Sequence, residues 1–128
     1  MFVLLTMIFL HIVDDFYLQG WLAKGKQKEW WQINAPQPMY QYDYLCALGV
    51  HAFSWTFMIM FPIIVVFKFR LNLIFLIFFI INCAIHFIID HLKANAKMIN
   101  LMQDQAMHLL QLIITYSVLL RPGVISYL

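Results

Sequence analysis

Charge is scarce in this chain. Only 11% of its 128 residues are Asp, Glu, Lys or Arg, against about 25% in an ordinary soluble domain. The net charge of +2 is too small to hold nucleic acid, and no basic stripe is present. Cysteine is scarce too. Cys46 and Cys83 both lie in apolar runs and form no CxxC, which excludes a zinc knuckle or a disulfide framework. Both read as small apolar filler in helices. Residues 1–10 lack a basic leader and an Ala-x-Ala cleavage pattern, so they read as a retained transmembrane helix. Phe2 excludes an N-myristoylation box. No nucleophile motif or familiar catalytic signature occurs.

What the chain has is apolar surface. Hydrophobic residues make up 64% of it, where about 45–50% is usual. A chain this short cannot hide that excess in a core, so lipid is its natural solvent. The pattern predicts an all-α integral membrane protein, one polytopic domain folded as a four-helix transmembrane bundle. A span needs about 20 mainly apolar residues, and four stretches qualify: about 1–19, 44–67, 71–92 and 98–120. Gly20 is placed to cap the first. Pro62 predicts a kink in the second. Arg121-Pro122-Gly123 reads as a stop after the fourth. Between spans one and two, residues 20–43 carry Trp21, Trp30, Trp31, Tyr40 and Tyr42 beside Lys24, Lys26 and Lys28. Such residues favour the headgroup layer, so an interfacial segment is expected there, broken near Pro36 and Pro38.

Polar residues inside the spans carry the functional reading. His11 and Asp15, His86 and Asp90, and Asp104 and His108 are each four apart, on one helix face. His51 stands alone in span two. Four antiparallel spans put all seven groups near one side of the bundle. At about 1.5 Å per residue, each histidine lies roughly 10–13 Å inside its span's end. Any one of these pairs is explained by a hydrogen bond between helices, and His51 alone would be read that way. Three pairs at matching depth point instead to a metal. Imidazole and carboxylate suit zinc, and also manganese or iron. The set would serve two ions with a bridging carboxylate, or one ion with outer aspartates orienting the imidazoles.

The expected metal ligands are therefore His11, Asp15, His51, His86, Asp90, Asp104 and His108. Asp15, Asp90 and Asp104 are the candidate catalytic carboxylates. Lys93, Gln19 and Gln105 are candidate substrate-binding groups. Asp14 points about 100° from Asp15 on an α-helix and is expected to be solvated or capping. His91 is off the face of His86 and reads as interfacial. Lys24, Lys26, Lys28, Lys93 and Lys97 fall on the site's side, against Lys68, Arg70 and Arg121 opposite. That bias makes the site's face cytoplasmic.

The motif set His11-x3-Asp15-Phe16-x-Leu18-Gln19, then His51, His86-x3-Asp90-x2-Lys93 and Asp104-Gln105-x2-His108 resembles a family of small bacterial and phage membrane proteins. That family is catalogued as domain of unknown function 3307. The resemblance implies a polytopic helical membrane protein with a polar His/Asp centre. A bacterial inner membrane is the expected location. It implies no particular activity, and residues 29–42 lie outside the pattern.

Three functions are in play. The leading one is a metal-dependent hydrolase acting at the membrane face on a lipid-linked ester or phosphoester. A metal-ion or proton transport protein is the second. The third is a non-enzymatic phage or host membrane protein, an exclusion or lesion factor stapled by metal. Membrane lipids are the expected partners, with a homo-oligomer allowed and nucleic acid excluded.

Overall fold

A computed structural model describes residues 1–121. Pro122 and Gly123 of the stop signal lie outside the described residues. The described residues form six α-helices: α1 (Phe2–Ile12), α2 (Leu22–Gly25), α3 (Lys28–Asn34), α4 (Asp43–Val66), α5 (Leu73–Ala94) and α6 (Leu101–Leu119). No strand occurs among the described residues. A π-helical turn, Val13–Leu18, continues α1, and a 3-10 turn, Pro38–Tyr40, precedes α4.

The four longer helices close a ring. α4 packs on α1 and α5, and α6 packs on α5 and α1. α2 lies against α4 and α3. Among the described residues two helices are long and apolar enough to cross a membrane, one through Pro38–Val66 and one through Leu73–Ala94. The sequence leads one to expect four crossings; α1 and α6 do not meet the same test. The reason is visible in their residues. α1 ends at Ile12 and passes into Asp14 and Asp15, and the first turns of α6 carry Gln103, Asp104, Gln105 and His108.

Local chemistry sets the helix ends. Asn72 Oδ1 accepts from the Phe75 N–H at 2.8 Å and starts α5. Asn100 and Gln103 cap α6 reciprocally, each accepting from the other's backbone N–H at 2.9 Å, which satisfies two donors that a helix start leaves open. Gly20 takes a left-handed φ of 49° where the first helical stretch ends. α3 stops at Asn34, before Pro36 and Pro38. Pro62 lies inside α4 without interrupting it. Lys68 and Phe69 turn the chain in left-handed backbone between α4 and α5.

The interior has two levels. One is apolar: Met7, Trp55, Ile59, Met60, Ile63, Phe67, Phe75, Leu112 and Leu119 form one buried cluster. The other is polar and holds His11, Asp14, His51, His86, Asp90, Asp104 and His108, all buried. Outside, α1, α4, α5 and α6 expose Phe9, Phe53, Phe57, Ile80, Ile88 and Ile113 among many apolar side chains. A surface like this is stable against lipid or a partner and aggregates in water.

The segment between α1 and α4 is fastened over the polar level. Asn95, at the end of α5, accepts from the Lys28 N–H at 2.6 Å and donates to the Lys26 carbonyl at 3.0 Å. Trp21, Trp30 and Trp31 meet edge to face at 5.1–5.8 Å, and the Trp31 indole donates to the Gly25 carbonyl at 2.6 Å. A Cβ at Gly25 would stand 2.8 Å from the Trp21 ring. Gly25→Ala is therefore expected to loosen this indole cluster, at a cost of about 1–3 kcal/mol of overpacking. Thermal unfolding in detergent, followed by tryptophan fluorescence, would read that loss; an unchanged midpoint would show that the rings yield freely.

Candidate metal centre

The site begins with a departure from α-helical geometry. In the turn Val13–Leu18 each backbone bond spans one residue more than in an α-helix, so successive side chains fan through a smaller angle. Asp14 and Asp15 consequently both face inward. Asp14 is 1% exposed, which corrects the expectation of a solvated residue. Its Oδ1 accepts from Ser54 Oγ at 2.7 Å, and its Oδ2 lies 3.5 Å from His51 Nδ1.

Around this turn the imidazoles and carboxylates gather. His51 Nε2 is 3.3 Å from Asp15 Oδ1 and 3.4 Å from Asp90 Oδ2. His86 Nε2 is 3.8 Å from Asp90 Oδ2. The second oxygen of Asp90, Oδ1, lies 3.4 Å from His108 Nε2, which lies 3.4 Å from Asp104 Oδ1. Among the described residues two groups of three could hold a metal ion: Asp15, His51 and His86, and His86, Asp90 and His108.

The spacing is informative. A neutral N–H···O hydrogen bond spans about 2.7–3.2 Å. Ligand atoms held about 2.0–2.1 Å from a tetrahedral zinc stand about 3.4 Å from one another. Four of the separations here, at 3.3–3.4 Å, match the second figure, and the His86–Asp90 separation of 3.8 Å exceeds both. Both ring nitrogens of His86 and of His108 are buried without a hydrogen-bond partner, as are Asp104 Oδ1 and Asp14 Oδ2. Unpartnered buried polar atoms are costly, and a cation bound among them satisfies several at once.

Charge counting gives the same sign. Asp14, Asp15, Asp90 and Asp104 are four carboxylates in the cluster. Two ammonium groups answer them: Lys26 Nζ donates to Asp90 Oδ2 at 2.6 Å, and Lys93 Nζ donates to Asp104 Oδ2 at 2.6 Å. With those carboxylates ionised and the histidines neutral, two negative charges are left over, the charge of one divalent ion. Protonating His86 instead would bury two N–H donors with no acceptor in hydrogen-bonding geometry.

His11 stands apart. The Trp55 indole N–H donates to its Nδ1 at 2.8 Å, which leaves its Nε2–H to donate to Gln105 Oε1 at 3.1 Å. With both nitrogens engaged, His11 braces the cluster rather than offering it a free donor. Gln105 also donates to Asp15 Oδ2 and Asp104 Oδ2, at 3.2 and 3.0 Å, and so ties α1 to α6. Gln19 lies 3.1 Å from His51 Nε2 and donates to Asp15 Oδ1 at 3.4 Å. His91 lies outside the cluster and stacks on Tyr44.

Trp55 is the floor. It is fully buried, stacks on His86 at 4.1 Å and belongs to the apolar cluster below. Its position four residues after His51 places it on the same helix face, a signal present in the spacing. Lys26 had no such signal; nothing in an interfacial stretch marks one lysine of three as buried.

A cleft of about 390 Å³ reaches the cluster at Asp15 and is lined as well by Phe16, Gln19, Lys26, Lys93 and Leu101 among others. No protein-family model, curated protein or solved structure matches the chain.

Two outcomes test this geometry. Lys26→Met leaves Asp90 buried without its ammonium partner, and a broken buried pair costs about 3–5 kcal/mol. Added zinc should recover most of that loss if a cation binds at the same carboxylate, so unfolding is measured with and without the metal. Trp55→Phe strips His11 Nδ1 of its donor and should cost about 1–3 kcal/mol, read by the same unfolding assay.

Proposed function

We propose that the chain is an integral membrane metal-binding protein and acts as a metal-dependent hydrolase on a lipid-linked ester or phosphoester. In this reading four helices cross the membrane, α1 and α6 with their polar turns turned inward. The observation that carries it is the cleft: it reaches the ligand-type cluster at Asp15, between two lysines, Lys26 and Lys93. A structural metal staple has no need of an entrance. Zinc is the favoured ion, with manganese or iron compatible with the donor set.

Asp15, His51, His86, Asp90 and His108 are the leading ligands, with Asp104 beside them. A divalent ion held by these residues would supply a water of lowered pKa. One cluster carboxylate, Asp15, Asp90 or Asp104, would accept a proton from the attacking water. Its oxygen would bond to the acyl carbon or phosphorus as the ester bond breaks, and the carboxylate would pass the proton to the departing alcohol oxygen. The products are an acid and an alcohol. In this reading Lys93 and Lys26, bonded here to Asp104 and Asp90, also attract an anionic part of the substrate at the mouth, and Gln19 lines the same wall.

Transport of metal ions or protons draws on the same residue types. It needs a polar path through the far half, and there Trp55 stands over Ile59, Met60 and Ile63, all fully buried. The observations favour a site entered and left from one face, and that face is proposed to be the cytoplasmic side of a bacterial inner membrane.

Elemental analysis of detergent-purified protein tests the reading. Wild type should carry a stoichiometric divalent metal, and His86→Ala and Asp90→Ala should lose most of it. Equal metal content in all three would remove these residues from ligation and the hydrolase with them.

A further inference from the structure

The metal-hydrolase reading leaves open how many ions act and on what. We infer that the cluster holds two divalent ions bridged by the Asp90 carboxylate, and that its substrate is a phosphoester. This rests on the proposed function and narrows it.

The argument starts from one side chain. Asp90 is 3% exposed, and its two oxygens face different donors. Oδ2 meets His51 and His86, together with Lys26; Oδ1 meets His108. A carboxylate serving one ion turns both oxygens, or one, to a single point. Here each oxygen faces its own imidazole. His51 Nε2 lies between Asp15 Oδ1 and Asp90 Oδ2, and His108 Nε2 lies between Asp104 Oδ1 and Asp90 Oδ1. The groups close enough to share an ion are Asp15, His51 and His86, and His86, Asp90 and His108. His86 lies between, a member of both groups that could take an ion. Its nitrogens and those of His108, on side chains 0% exposed, have no hydrogen-bond partner. One tetrahedral ion takes about four ligands, and this cluster has more than that; a second ion employs the surplus. Helical bundles build such paired sites from facing helices, as α5 and α6 face here.

Charge then selects the substrate. One divalent ion, with Lys26 and Lys93, neutralises the four carboxylates. Two ions leave the site doubly positive in a weakly polar surrounding. Hydroxide and the anionic oxygens of a phosphoester offset that excess; a neutral carboxylic ester does not. Paired ions about 3.5–4 Å apart stabilise the attacking and leaving oxygens of an in-line displacement at phosphorus. The two lysines at the cleft add to the same preference. Lys26 and an ion compete for Asp90 Oδ2, and the cleft that Lys26 lines gives its ammonium a place beside the substrate's phosphoryl oxygens.

The test is made on the full chain in detergent, loaded with manganese or zinc. Wild type should bind two ions, and His108→Gln and Asp15→Asn should each bind one. The manganese-loaded wild type should give a spin-coupled resonance spectrum, which needs no variant and no activity. Inorganic phosphate should bind the loaded wild type and bind His108→Gln about tenfold or more weakly. Saturation at one ion with an isolated six-line manganese signal would overturn the paired site while leaving a one-metal hydrolase standing. Two ions with phosphate affinity unchanged in His108→Gln would overturn the phosphoester assignment. Failure of wild type to bind any ion would sink the metal reading itself, and so the two failures are told apart.

Discussion

Carboxylates buried in the middle of a helical bundle need cations within reach, and the rest of this structure follows from that need. Four of them, Asp14, Asp15, Asp90 and Asp104, lie within one polar level, and none is more than slightly exposed. Isolated ionised carboxylates in such surroundings would cost far more than the few kcal/mol that keep a domain folded. Two lysines reach in to answer part of the charge. One comes from α5, where a helix ends. The other comes from a short segment that would otherwise lie over the bundle, and Asn95 holds that segment down through the backbone on either side of Gln27. The ordering of residues 22–34 and the electrostatics of the site are thus one problem with one solution.

The fold arranges its levels accordingly. Below the cluster the interior is apolar and closed, and Trp55 belongs to both parts through its ring and its N–H. Above the cluster the wall opens. An indole suits that boundary because its faces tolerate imidazole stacking while its edge donates one hydrogen bond. The same residue orients His11, whose remaining N–H reaches Gln105. From there the amide bonds run to Asp15 and Asp104. Fixing α1, α4 and α6 through one chain of hydrogen bonds holds the nearby carboxylates in place without consuming the nitrogens of His86 or His108.

Much of this was legible in the residues. Apolar runs bounded by Gly20, Pro36, Pro38 and the polar turns place the helix ends within a few residues. The four-residue spacing of His and Asp puts paired groups on common faces, and antiparallel connection puts those faces at a common height. What was not legible has physical causes. An α-helical wheel turns Asp14 away, and only a wider turn brings it in; nothing in Val13–Leu18 announces a π-helix by composition. Lys26 sits among Lys24 and Lys28 with no periodicity to separate them. Its burial is set by where Asn95 ties the backbone, a contact between residues 69 apart. That α1 and α6 fall short of a span by length and composition was not legible either, because the residues that build the polar level are the ones that lower those helices' apolar character.

That last conflict bears on what kind of protein this is. A helix that only needs to cross lipid has no reason to give up apolar residues, and α5 shows that this chain can supply such a helix, with Ile and Phe filling its outer face. α1 and α6 give up that simplicity in the turns that face Asp90. Apolar replacements of similar volume there would be neutral or stabilising for a bundle that needed only stability. Polar groups concentrated at one height, entered from one side and floored by an aromatic ring are therefore hard to explain as scaffolding. They fit the proposed metal site, which would require charge where the fold would do better without it.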